Sequence, residues 1–218
     1  MNGDTYEFGK INTKLESIEW DDVWLHFANT DKRKKILTIG DSISRGYRDI
    51  FIKKLNQNEA APYTVDNIAT SKGVDNKAFY PLLDGVKMQI DKYSVIKFNN
   101  GLHGWHLEDK AYECEYRNLV NHIKELYPDA KLVIALTTPV RSIENLNEVI
   151  ADRDNVIKAR NEAAIKIAEE VDAEVVDYYS LLLDRPELYM YDGVHLKEEG
   201  YELLANASTE IFDSILKA

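Results

Sequence analysis

The sequence predicts an α/β fold: a three-layer α/β/α sandwich on a five-stranded parallel sheet. Three observations carry this. Five short apolar runs, rich in β-branched residues, recur from residue 35 onward; longer amphipathic segments separate them; and the first three runs lead into glycine or asparagine. Short strands alternating with helical segments are the pattern of repeated βα units, whose parallel sheet is covered on both faces. A chain of 218 residues suffices for one such domain with a full core.

In chain order the predicted strands are 36–39, 64–68, 95–98, 132–136 and 174–176. Between the third and fourth, Tyr112, Tyr116, Leu119, Ile123 and Leu126 recur at spacings of three and four, which puts them on one helical face. Pro128 and Asp129 stop that helix. Val156, Ala163, Ile167 and Val171 predict a second apolar face before the fifth strand, and a last helix runs from about 197 to 216. Residues 1–34 are less regular. Trp20, Trp24 and Phe27 are spaced for a short apolar face, and the stretch reads as an arm or cap preceding a domain at 35–218. Five parallel strands in this arrangement suggest the flavodoxin-like order 2-1-3-4-5, with the first strand between the second and third. Ligands of such sheets bind beyond the carboxyl ends of the strands.

Composition narrows the function. Lys and Arg number 27 against 38 Asp and Glu, a formal charge of −11. So negative a surface repels phosphate backbones and anionic lipid, which argues against nucleic-acid and membrane partners. No apolar run approaches the ~20 residues that span a bilayer. The N-terminal residues show no secretory pattern, so the expected location is cytoplasmic. Cys114 is the only cysteine, which excludes an intrachain disulfide. Oligomeric state is left open by the sequence.

Four segments carry chemistry. Lys35-Ile-Leu-Thr-Ile-Gly40-Asp41-Ser42 is a strand entering a tight turn, which places Ser42 at the start of a helix with its hydroxyl and N–H facing one volume. Ser44 stands where a G-x-S-x-G elbow has its last glycine. By itself the segment also fits an ordinary N-cap serine. Asp192-Gly-Val-His195 precedes the last helix; a carboxylate three residues before a histidine reaches its ring across a turn and fixes the tautomer a general base needs. Gly73 and Asn100 follow the second and third strands, where a glycine N–H and an uncharged amide suit an oxyanion hole. Such donors contribute roughly 3–4 kcal/mol each to acyl transfer. The topology makes the exits bearing Ser42, Gly73 and Asn100 neighbours.

In their order, Gly40-Asp41-Ser42, Gly73, Asn100 and Asp192-Gly-Val-His195 resemble the four sequence blocks of the SGNH (GDSL-like) hydrolases, over roughly 35–217. The most specific part is Asp192-x-x-His195 followed by Leu196-x-x-x-Gly200-Tyr201. The resemblance implies Ser42 as nucleophile, His195 as base and Asp192 as its orienting carboxylate. It further implies an oxyanion hole of the Ser42 N–H, the Gly73 N–H and the Asn100 side chain, with neither metal nor organic cofactor. The third block departs from the usual Gly-x-Asn-Asp, reading Phe98-Asn99-Asn100-Gly101, so Asn99 is the alternative donor. In the looser second block, Ser71 or Lys72 is the alternative to Gly73.

His103 and Trp105 follow Asn100 and are expected at the substrate rim, Trp105 to stack on a sugar or acyl group. His103, His106 and Glu108 are a weaker candidate metal set. His26 and His122 read as structural or exposed. The expected function is a serine esterase acting on short-chain esters, acetyl by preference, of a small-molecule or carbohydrate alcohol. The same residues would serve an acyltransferase or thioesterase. A non-catalytic binding domain on the same fold is disfavoured by the absence of a phosphate-binding glycine motif and by Asp41 at the first strand exit.

Overall fold

A computed structural model describes residues 15–26, 33–57 and 63–217. Phe27 and residues 1–14 of the expected arm lie outside them. Six strands form one sheet: β1 (Asp21–Trp24), β2 (Lys34–Gly40), β3 (Tyr63–Thr70), β4 (Val95–Phe98), β5 (Lys131–Ala135) and β6 (Glu174–Val176), in the order β1-β3-β2-β4-β5-β6. The last five are parallel and stand in the expected 2-1-3-4-5 order. The registers Ile39↔Ile68, Ile39↔Phe98 and Phe98↔Ile134 bring the exits of β3, β2 and β4 level with one another.

β1, from within the 1–34 segment, adds to the five expected strands. It pairs antiparallel with β3 and makes a sixth, edge strand of the same sheet. Its sequence, Asp-Asp-Val-Trp, lacks an apolar run, because polar side chains hold it. The Asp21 carboxylate accepts Lys72 Nζ at 2.7 and 2.8 Å and Thr70 Oγ1 at 2.6 Å.

The helices are α1 (Ser42–Leu55), α2 (Phe79–Lys87), α3 (Asp109–Leu126), α4 (Ala151–Val171), α5 (Tyr178–Leu183) and α6 (Glu198–Lys217). Side chains alternate along each strand, so the sheet separates two apolar layers. Leu37, Ile39, Ile96, Phe98, Leu132 and Ile134 pack with α2, α3 and part of α4; Ile36, Val95, Val133 and Ala135 pack with α1, α5 and α6. The α3 face is as predicted, with Tyr112, Tyr116, Leu119 and Ile123 buried and Leu126 packed at its edge. On α4 the expected Ala163 and Ile167 are buried and Val171 packs at the edge of the core, but the face is wider than predicted. Ile157 is buried rather than Val156, and Asp154, Arg160 and Asn161 are buried beside it. A stripe search cannot find a buried face that carries this much polarity. Asn161 shows why it does: its side chain accepts from Thr137 N at 2.8 Å and donates to Thr137 O at 3.0 Å, holding the segment that follows β5.

Candidate active site

Gly40 ends β2 where the chain must pass close to the next helix; a Cβ there would lie 2.6 Å from Ser44 Cβ. Asp41 then caps α1, its Oδ1 accepting from Ile43 N at 2.9 Å. Ser42, half-buried, is the first residue of α1.

His195 comes from the loop before α6, and backbone bonds fix that loop. Met190 N donates to His195 O at 2.8 Å, and Arg141 N to Gly193 O at 2.8 Å. Gly193 has φ +70°, and a Cβ there would fall 2.1 Å from Arg141 O, so only glycine fits. The turn folds Asp192 back on itself: Oδ1 accepts from Val194 N at 3.0 Å and His195 N at 2.9 Å, and Oδ2 meets His195 Nδ1 at 2.7 Å. His195 Nε2 lies 2.9 Å from Ser42 Oγ. An ionised carboxylate only accepts, so Nδ1 bears the proton and Nε2 is left to accept from the serine hydroxyl. Burial pushes the Asp192 carboxyl up, but the two amides and the imidazole outweigh it and hold it below the ordinary value. Both side chains are about one-third exposed, 36% for Asp192 and 39% for His195, so this loop stands at the surface.

The expected oxyanion donors stand on the loops that follow β3 and β4. Asn100, buried after β4, donates from Nδ2 to Lys72 O at 2.7 Å. Its own carbonyl accepts the Tyr112 hydroxyl. Gly73 is also buried, and a Cβ there would lie 2.9 Å from Asp75 Oδ1 and 3.0 Å from Gly104 Cα. The loops after β3 and β4 therefore touch backbone to backbone. The alternatives are engaged elsewhere. Asn99 turns toward β5, donating to Ala135 O at 2.6 Å and Thr137 Oγ1 at 3.3 Å. Ser71 exchanges hydrogen bonds with Trp20 and Glu19, and Lys72 Nζ is held by Asp21.

Of the rim residues, His103 is 18% exposed, with Nδ1 3.4 Å from Glu16 Oε1, which also accepts from Gly104 N at 3.2 Å. The Trp105 ring has the Arg153 guanidinium 4.0 Å and the Arg160 guanidinium 5.0 Å from its centroid. His106 turns instead to Asp75, Nε2 to Oδ2 at 2.8 Å. His103, His106 and Glu108 thus do not converge, and among the described residues no group of three or more His, Cys, Asp or Glu is placed to hold a metal ion. His122 pairs with Asp84 at 2.8 Å on the surface of the domain, and His26 holds Asp66 and Lys35 through its backbone.

Sequence reading gave three contributors no structural role here. Asp41 is completely buried, and burial raises its pKa while the imidazoles of His103 and His195 act against the rise. Glu16 arrives from the arm, 88 residues away from Gly104. Arg160 lies 1% exposed beneath the loop after β4. Asp41 was legible as part of the Gly40-Asp41-Ser42 block, and Arg160 only as a cation on the α4 face between Ile157 and Ala164.

Residues 98–203 match the model of the GDSL-like lipase/acylhydrolase family. No curated protein matches the chain. Solved structures do. A member of the lipolytic G-D-S-L family from Veillonella parvula superposes with a TM-score of 0.65 at 19% identity, over 83% of this chain and 98% of that one. A GDSL-like lipase from Bacteroides thetaiotaomicron gives 0.63 at 16%, over 99% and 98%. A mutant of an acetyl-xylooligosaccharide esterase from Geobacillus Stearmophilus gives 0.62 at 18%, over 81% and 93%. At these identities the likeness is one of fold. No helix among the described residues is long and apolar enough to cross a membrane.

Proposed function

We propose that this chain, which belongs to the GDSL-like lipase/acylhydrolase family and is a hydrolase of ester bonds, uses Ser42 to cleave short-chain esters through a covalent acyl-enzyme. One observation carries the reading: the continuous line Ser42 Oγ–His195 Nε2–His195 Nδ1–Asp192 Oδ2, with links of 2.9 and 2.7 Å. In this reading Nε2 takes the serine proton as Oγ bonds to the ester carbonyl carbon. The carbonyl π electrons move onto oxygen, and the N–H groups of Ser42 and Gly73 with the Asn100 amide receive the charge. The imidazolium, steadied by Asp192, then protonates the departing alkoxide as the tetrahedral intermediate collapses. Water repeats the sequence on the acyl-serine, with His195 again as base, and releases the acid.

A small acyl group on a hydroxylated alcohol is the substrate class we favour. The loop that carries the expected rim residues bears the polar pairs Glu16–His103 and Asp75–His106, and a fold neighbour is an acetyl-xylooligosaccharide esterase. The test is turnover of p-nitrophenyl acetate, butyrate and octanoate by wild type and Ser42→Ala. The expected outcome is serine-dependent turnover that falls with chain length, with the far-ultraviolet spectrum unchanged. Equal turnover by both proteins refutes the assignment of Ser42; a preference for octanoate refutes the short-chain reading alone.

A further inference from the structure

Arg160 is 1% exposed, and among the described residues no carboxylate forms an ion pair with it. Its guanidinium donates to three backbone carbonyls of one loop: Nη1 to Gly101 O at 2.8 Å and His103 O at 2.7 Å, and Nη2 to Gly104 O at 2.7 Å. It also lies 4.4 Å from the centroid of Tyr112, whose hydroxyl donates to Asn100 O. Helices α3 and α4 together therefore hold four of the five carbonyls from Asn100 to Gly104. Taking a guanidinium out of water carries a large penalty, and here it is offset by this loop and by aromatic faces. An apolar side chain of similar length would fill the same space without that penalty, so packing does not account for an arginine.

The orientation of the peptides gives the reason. In a trans peptide the C=O of one residue and the N–H of the next point in opposite directions. Drawing the His103 carbonyl down onto Arg160 turns the Gly104 N–H up, where Glu16 Oε1 accepts it at 3.2 Å. The same loop begins with Asn100, whose amide reaches Lys72 O, and ends with Gly104, which packs on Gly73. Both oxyanion donors expected beyond Ser42 thus depend on where this loop sits. Resting on the esterase reading above, we infer that Arg160 is a positioning residue: it sets the peptide orientations of the 100–104 loop and, through Asn100 and Gly104, the geometry of the oxyanion hole.

A kinetic cycle tests this, with Arg160→Met and Arg160→Lys made in the wild-type and Asn100→Ala backgrounds and Ser42→Ala run alongside. A misaligned hole weakens binding of the transition state more than of the substrate. For Arg160→Met, kcat on p-nitrophenyl acetate is expected to fall about 30-fold or more with KM within about threefold. Arg160→Lys, which keeps a cation but not the fork, should recover part of the loss. In the Asn100→Ala background, Arg160→Met should remove less than a further threefold or so, since residues acting through one feature are not additive. A folded Arg160→Met enzyme with wild-type kcat overturns the inference, as does a loss confined to KM or two losses that simply multiply. Should Arg160→Met not fold, Arg160→Lys carries the same cycle with the same criteria on a smaller scale. Turnover that Ser42→Ala leaves intact is a different failure: it removes the esterase reading, and this inference falls with it.

Discussion

Two aspartates at the site have their pKa values moved in opposite directions, Asp41 up by burial and Asp192 down by the amides and imidazole that outweigh it, and each yields a prediction with a definite sign. Asp41 has no exposure; one carboxylate oxygen caps α1, and Oδ2 has no partner among the described residues. Burial raises its pKa above 3.8, with His103 and His195 opposing. A raised folded pKa means that the group's contribution to stability is full below the unfolded value and is lost as pH rises through the folded one. Asp41→Asn, which keeps a capping oxygen, should therefore gain on wild type as pH is raised from about 3 to 8. Urea denaturation of both proteins across that range checks it, and a constant difference contradicts it. Asp192 is held below the ordinary carboxyl value, so its contribution is present above the unfolded pKa and lost as pH falls through the folded one. The Asp192→Asn deficit should accordingly shrink in acid. In catalysis that variant presents the wrong hydrogen-bonding partner to Nδ1, and kcat should drop about 100- to 10,000-fold. A loss below tenfold would mean that Asp192 does not orient His195 during turnover.

At the scale of elements, the loop before α6 depends on one backbone position. Gly193 has φ +70°, and a Cβ would meet Arg141 O at 2.1 Å, so Gly193→Ala must break the Arg141 N–Gly193 O bond or shift the whole turn. A destabilisation of about 2 kcal/mol or more is expected from the urea midpoint, together with loss of Ser42-dependent turnover, because Asp192 and His195 ride on the turn. A variant of wild-type stability would show that the loop closes by another route. This turn was legible in the sequence because its parts are local: Asp192 and His195 are three residues apart, with a glycine between them. The parallel strands were legible for a similar reason, since buried parallel strands are short β-branched runs whatever lies around them. β1 was not, because its four residues are held by Asp21 with Lys72 and Thr70, partners about 50 residues away. On α4 the periodicity found Ala163, Ile167 and Val171 but took Val156 for Ile157 and gave no sign that Arg160 and Asn161 are buried for the loops they hold; no periodicity encodes a partner waiting across the fold. Ser42 and His195 stand 153 residues apart, and only the order of the motifs joined them beforehand.

At the scale of the whole molecule, Lys97 joins four elements. It is fully buried on β4, facing the layer made by α1, α5 and α6. Nζ donates to Tyr178 Oη at 3.1 Å and Ser208 Oγ at 3.2 Å, and lies 4.0, 5.0 and 5.6 Å from the ring centroids of Tyr47, Phe51 and Tyr178. Burial pushes Tyr178 up to about 12 and Tyr47 well above 10, so neither phenol supplies a negative charge. The same burial drives Lys97 well below 10.5. A lowered folded pKa makes the contribution to stability full above the unfolded value and lost as pH falls toward and through the folded one. Between those two values wild type should lose about 1.4 kcal/mol per pH unit relative to Lys97→Met, whose side chain fills the same space and does not titrate. Unfolding free energies of the two proteins at steps from pH 10.5 to 7 measure that difference. A slope in favour of Lys97→Met that levels off on the acid side locates the folded pKa and establishes a neutral amine in the core above it. A flat difference would show instead that folding leaves the amine's titration unchanged, so that at neutral pH the ammonium is held in the core by the faces of three aromatic rings and the layer between sheet and helices is organised around a cation.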